Sequence, residues 1–353
     1  MPLMNMFSLI LAVILLNISI IFIILQKDRT SFILKYSPAI LVVIAVLSAL
    51  RALLPMEFPR TIVLSSYSIV PAIWGILKND IPHIQLTIWQ LLIFIWLSGI
   101  IAVIANTAMI EYKSAKERKS YPIVISSHVN AVAEKLGFKR AVVVLSPDVC
   151  IPFVVGFFRP HIYLPAANMP EESLVHILRH EMRHFYLKDI WIKLFYKFIA
   201  ALFWWNPFIH IFQKELDQVL ELRCDASLVA DMSYKERTNY LESILFIAKH
   251  AMNKETKSFC AAALLKANKG SFLKRRIHII QHLEAHSHTP RRFISILLVV
   301  LVFVGSFFVV IQPAYHPPKG NIAVFYDNPP DFTKYSVCGE NGYYNFSGLE
   351  ESR

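Results

Sequence analysis

Four uninterrupted apolar runs, at 3–25, 38–54, 84–108 and 295–311, constrain this chain more than any other feature. Each approaches the ~17–25 residues that cross a bilayer core as a helix. A hydrophobic fraction of 55%, 25 phenylalanines and a mean hydropathy of +0.47 agree, since a wholly soluble domain would not carry so much apolar surface. The first run stands where a signal peptide would. It has no basic residue before it and no small-x-small cleavage site after it, so a spanning helix is expected.

Basic residues set the expected orientation, because short Lys/Arg-rich loops stay cytoplasmic. Lys27, Arg29 and Lys35 follow the first run. Lys113, Lys116, Arg118 and Lys119 follow the third, and Lys274, Arg275, Arg276, Arg291 and Arg292 precede the fourth. All three clusters share one side if both termini lie outside. This bias accounts for the net charge of +11 without nucleic acid, and no direct nucleic-acid binding is expected. The clusters suit contact with anionic membrane lipid.

The expected organisation is a three-span bundle at 1–112, a cytoplasmic insert at 113–292, a fourth span at 293–312 and an outside tail at 313–353. Cys150, Cys224, Cys260 and Cys338 form no CxxC pair, so a thiolate zinc site is not expected and buried free thiols are. Within the insert, "AVVVLSPDVCIPFVVGFFRPHIYLP" alternates β-branched and aromatic runs with breakers, which predicts two or three short strands. A helix should follow Asn168-Met169-Pro170-Glu171, with Asn168 as cap and Leu174, Leu178, Met182 and Phe185 on its buried side. A second should start at Asn206-Pro207 and run to about Ala230. The segment 189–205 between them is apolar apart from a stripe of Asp189, Lys193 and Lys197. An interfacial helix is the first expectation there, a core helix the second and a span the third.

The first of these helices carries His180-Glu181-Met182-Arg183-His184, an H-E-x-x-H motif. One helical turn puts both imidazoles on the same face, where they can hold one zinc ion, with Glu181 beside it as general base. Chance would give on the order of 0.02 such motifs in a chain with this composition. A third ligand is needed. Glu221 is the first candidate and Glu215 its rival, while Asp225 and Asp189 can orient the outer N–H of a histidine. His176 reads as a helix-surface residue, and Arg51 as an arginine snorkelling from the second span. Arg183, His210 and Tyr186 are open candidates for oxyanion stabilisation.

Taken together, three spans, "HEMRHFYLKD", "WWNPF", "ELRCD", "LKRRI" and a fourth span resemble the BlaR/MecR antirepressor metallopeptidases of bacteria, over about residues 1–312. The resemblance implies an integral membrane α-helical bundle with an inserted cytoplasmic α+β, gluzincin-like zinc metallopeptidase domain in the plasma membrane. His180, His184 and Glu221 would hold Zn²⁺. An outside signal would trigger cleavage of a cytoplasmic transcriptional repressor, of the receptor itself, or of both, with "NKGSFLKRRIHII" as the candidate self-cleavage segment. The partners so implied are a protein substrate and membrane lipid, with a homodimer left open. The β-lactam receptors of that family carry a penicillin-binding domain after the fourth span, where only 313–353 remain here. The Ser-x-x-Lys at Ser271–Lys274 has no K-T-G companion, so acylation by a β-lactam is not expected. A housekeeping membrane protease and a non-catalytic zinc receptor are the alternative readings.

Overall fold

The computed structural model describes residues 6–56, 61–66, 69–81, 86–124, 126–253, 269–283 and 289–313. The helices are α1 (Met6–Lys27), α2 (Thr30–Tyr36), α3 (Ala39–Leu53), α4 (Ile69–Leu77), α5 (Ile88–Lys119), α6 (Ser127–Lys135), α7 (Glu171–Tyr186), α8 (Asp189–Leu202), α9 (Pro207–Val229), α10 (Tyr234–Asn253), α11 (Lys269–His282) and α12 (Thr289–Gly305). The strands are β1 (Ile62–Ser66), β2 (Val142–Ser146), β3 (Phe153–Val155), β4 (His161–Pro165) and β5 (Val309–Pro313).

Two described helices are long and apolar enough to cross a membrane, Ser8–Lys27 within α1 and Ile88–Lys119. A third crossing requires α2 and α3 to act together across an 87° bend, and Phe293–Phe308 is apolar but shorter. The chain divides into two compact units. One holds residues 12–54 and 97–304. In the other, β1 and β5 pair in parallel from Ile62↔Val309 to Ser66↔Pro313.

Among the described residues the larger unit has four apolar clusters, the smallest being Ile33 of α2 with Leu222 of α9 and Ile279 of α11. Inner faces of α1, α3, α8 and α9 make the first, around Leu16, Ile20, Leu41, Tyr196, Phe212 and Leu220. The core alternative therefore describes the inner face of α8 better than the interfacial one. Lys27 ends α1 yet is buried, its Nζ 3.1 Å from Glu215 Oε2 on α9. Neighbouring Asp28 pairs with Arg275 of α11 at 2.7 Å. Arg51 is also buried and does not snorkel: its Nη1 donates to the Leu54 carbonyl at 3.0 Å, satisfying an orphan group past the end of α3.

The second core packs α6 and α7 on a three-stranded sheet of order β2-β4-β3. β2 runs parallel to β4 and β3 antiparallel to it, with Phe153 opposite Tyr163. All three strands lie within the stretch predicted to hold them. Gly156 permits the turn after β3: its φ is +104° and a Cβ there would meet the Arg159 carbonyl oxygen at 2.1 Å. β3 is left as an edge. The third core joins α9, α10 and α11 through Val229, Tyr240, Leu241 and Ile280.

Candidate metal centre

The site begins with how α7 and α9 start and stop. Leu174, Leu178 and Met182 are buried as the helical spacing predicts, and Phe185 packs against the same core. Asn168 is not the cap. The N-cap is Pro170, which makes no side-chain cap bond, and Glu171 and Glu172 instead meet the positive end of the helix dipole. The α7 C-terminus turns through Lys188 in the left-handed region, φ 62°, so that Asp189 opens α8 directly against the end of α7. α9 starts as its sequence predicts, with Asn206 accepting from the Phe208 N–H at 3.1 Å and Pro207 following.

The packing brings His180, His184 and Glu221 to one point. The two Nε2 atoms face each other at 3.1 Å, and Glu221 oxygens lie 3.5 Å from each. On their outer sides both rings are engaged. His184 Nδ1 is 2.5 Å from Asp189 Oδ2, and His180 Nδ1 is 2.7 Å from the Tyr240 hydroxyl. Tyr240 in turn donates to Asp225 Oδ1 at 2.7 Å. Each Nδ1 thus faces an acceptor and carries the proton, which leaves both Nε2 lone pairs aimed at the same spot. Two facing lone pairs with a carboxylate beside them call for a cation.

The electrostatics agree. Burial disfavours a charged His180, yet Cys224 and Glu221 push it up to about 10, so positive charge is favoured at this position. Burial likewise opposes charge on His184, while Glu221 and Asp189 hold its pKa well above the usual range. Burial alone would raise Glu221; Arg276 and His184 hold its carboxyl well below the usual range instead. Glu181 is buried, and that burial lifts its carboxyl upward against the partial opposition of His180 and His184.

Three residues at the site were not identified from sequence. Cys224, buried and free, offers a second ligand set with His180 and His184, their ligand atoms all within 4.8 Å of one another. Its Sγ lies 3.7 Å from His180 Nδ1, the nitrogen already engaged by Tyr240. Glu221 approaches the two Nε2 atoms instead, at 3.5 Å from each, so two candidate ligand sets share the histidines. Cys224 could have been found from its place one turn after Glu221; the remote Tyr240 has no local signal. Arg276 clamps Asp225 with two bonds, 2.7 and 2.9 Å, and reaches Glu221 Oε2 at 3.2 Å. Asp225 therefore acts on His180 through Tyr240, its own oxygen being 3.6 Å from Nδ1.

Other expectations fall away. Glu215 is paired with Lys27 and is not brought to the histidines. His176 is buried, not on the surface, its ring 5.9 Å from that of Tyr240, because α10 covers this face of α7. Arg183 is bound to Ser227 and His210 to the Trp204 carbonyl. Cys150 is not a free thiol but disulfide-bonded. A cavity of about 1050 Å³ opens onto the site, lined by His180, Glu181, Glu221, Tyr240 and Arg276, with Ile151 and Pro152 leading to β3.

Known proteins give the same direction. The chain is 26% identical over 200 residues to the regulatory protein BlaR1 of Bacillus licheniformis, covering 55% of this chain and 33% of that one. It is 25% identical over 172 residues to the methicillin resistance mecR1 proteins of Staphylococcus aureus and Staphylococcus epidermidis, covering 47% of this chain and 28% of theirs. The matched region thus spans about a third of the length of these relatives. The profile of the BlaR1 peptidase M56 family matches residues 8–280, and with most of its length so covered this chain belongs to that family of metallopeptidases.

Proposed function

We propose that the protein is a membrane zinc endopeptidase that turns an outside signal into cytoplasmic cleavage of a transcriptional repressor, of itself, or of both. The observation that carries this reading is the pair of Nε2 atoms aimed at one point, with Glu221 beside them and Glu181 next in sequence. The proposed architecture is gluzincin-like: spans within 1–112, a cytoplasmic peptidase at 113–292, a fourth span at 293–312 and both termini outside in a bacterial plasma membrane.

In this reading His180, His184 and Glu221 hold the zinc, which supplies Lewis-acid polarisation and a more acidic water. Glu181 takes the proton, and its raised pKa suits a base working near neutral pH. Asp189 and the Tyr240–Asp225 pair keep the imidazoles in the ligating tautomer. Asp189→Asn should weaken zinc binding ~10–100-fold, as read by competition with a chromogenic chelator. An unchanged affinity would remove Asp189 from this role.

β3 supplies an edge beside the cavity on which an extended peptide can add a strand. A proline at the β3 position whose N–H points away from β4 should raise KM roughly tenfold per lost bond, with zinc content unchanged. Equal KM would sink edge docking.

The candidate self-cleavage segment 268–280 is helical from Lys269, and its Phe272 and Arg276 line the cavity. A peptidase acts on extended chain, so this helix must unwind before it is cut. The deciding experiment compares new protein N-termini across the cell between wild type and Glu181→Gln under inducing stress. Cleavages seen only in wild type identify the substrates, and one within 268–280 establishes self-processing. Identical sets under every stimulus would favour a zinc receptor without turnover.

A further inference from the structure

We infer that the α8–α9 hairpin is a re-entrant element that enters the hydrocarbon core of the bilayer beside α1 and α5 and turns near its middle. The inference rests on the proposal that α1 and α5 span the membrane.

Two independent rulers set the depth. On α1, Lys27 meets Glu215 and Gln218 of α9, and ten residues earlier Asn17 accepts a 2.8 Å bond from Asn206 Nδ2 at the hairpin tip. Ten residues of helix are ~15 Å, half of a hydrocarbon core of ~30 Å. On α5, Glu111 pairs with Lys197 of α8, and twelve residues earlier Gly99 lies under Trp204, so close that a Cβ would stand 2.2 Å from the indole. Twelve residues are ~18 Å. Both spans place the tip at mid-depth and the charged ends of the hairpin at one surface.

The hairpin is built for that depth. From Phe198 to Gln213 there is no Asp, Glu, Lys or Arg, and Lys197 and Lys214 bracket the stretch. It is too short to cross as one helix yet long enough for two half-crossings. Its inner side packs on α1 and α3, while Phe198, Trp205 and Ile211 point outward, 46–52% exposed. Hydrocarbon fits these side chains, since the neighbouring spans expose the same kind of surface.

A turn at such depth must satisfy its own backbone, because lipid cannot. This one turns its polar groups on itself and on α1. Asn206 N–H donates to the Phe203 carbonyl at 2.8 Å, and His210 Nε2 donates to the Trp204 carbonyl at 2.8 Å. Asn206 Oδ1 caps α9 while its Nδ2 binds Asn17. The placement also locates the metal centre: Glu221 lies six residues, ~9 Å, beyond Glu215 and so just outside the membrane surface.

The test uses the full-length protein in phosphatidylcholine vesicles. It is photolabelled with an apolar aryl-diazirine that partitions into hydrocarbon, in the presence of an aqueous thiol scavenger, and adducts are mapped by peptide mass spectrometry. Adducts in 198–213 at levels within a few-fold of those in α1 and α5, and at least tenfold above those in α10, are expected. Labelled α1 and α5 with 198–213 at the α10 level would overturn the hairpin and leave the spans standing. Absence of label from α1 and α5 would overturn the spanning proposal and the inference with it.

Discussion

Glu181→Gln should slow peptide cleavage by ~10²–10⁴-fold while each chain still binds one zinc ion. The amide nearly matches the carboxylate in shape but cannot take a proton at neutral pH. Glu181 is buried beside, not among, the converging nitrogens, so the substitution leaves His180, His184 and Glu221 where they are. Turnover of a peptide substrate and metal content, both on purified full-length protein, check the two halves separately. Retained turnover would place the base elsewhere. Loss of zinc together with turnover would mean that Glu181 shapes the site itself.

Arg276→Met should destabilise the protein by ~3–5 kcal/mol. Asp225 is fully buried and takes two of its bonds from this guanidinium, so removing the cation leaves a charge in a dry site with only Tyr240 for support. Pairing it with Asp225→Leu should recover most of the loss, because the cost lies in the orphaned partner and not in the missing bond. Denaturant melts of the four proteins of this cycle in detergent decide it. Equal, additive losses would show that the ion pair contributes little and that Arg276 acts through packing.

Much of this site could be read from short stretches of sequence, and the reason is periodicity. The two histidines of α7 are one turn apart, and Asn206-Pro207 carries both the cap and the first-turn residue of α9. Glu221 and Asp225 share a helical face, which is why both were brought forward as candidates. What stayed hidden was long-range pairing. Tyr240 and Arg276 reach the site across 60 and 51 residues, a separation that no local pattern encodes. The polar stripe of α8 was legible, but not its partners: Lys193 pairs with Asp217 and Lys197 with Glu111, 24 and 86 residues away. His176 was assigned to the surface because its cover, α10, comes much later in the chain. The spans were legible in number only where a run was straight and long; at the bend between α2 and α3 the sequence shows a proline, Pro38, but not the 87° angle it turns through.

His180, Tyr240, Asp225 and Arg276 belong to α7, α10, α9 and α11 respectively, and they form one chain of buried polar contacts, with Arg276 also reaching Glu221 of α9. If α10 or α11 lifts, a buried polar group on the next helix loses its partner, so the four helices open together and share one opening free energy. Amide exchange should therefore report a single cooperative unit here. Tyr240→Phe, which removes one hydroxyl, should accelerate exchange in all four helices by a common factor, so that the centre's rigidity is a property of the whole quartet.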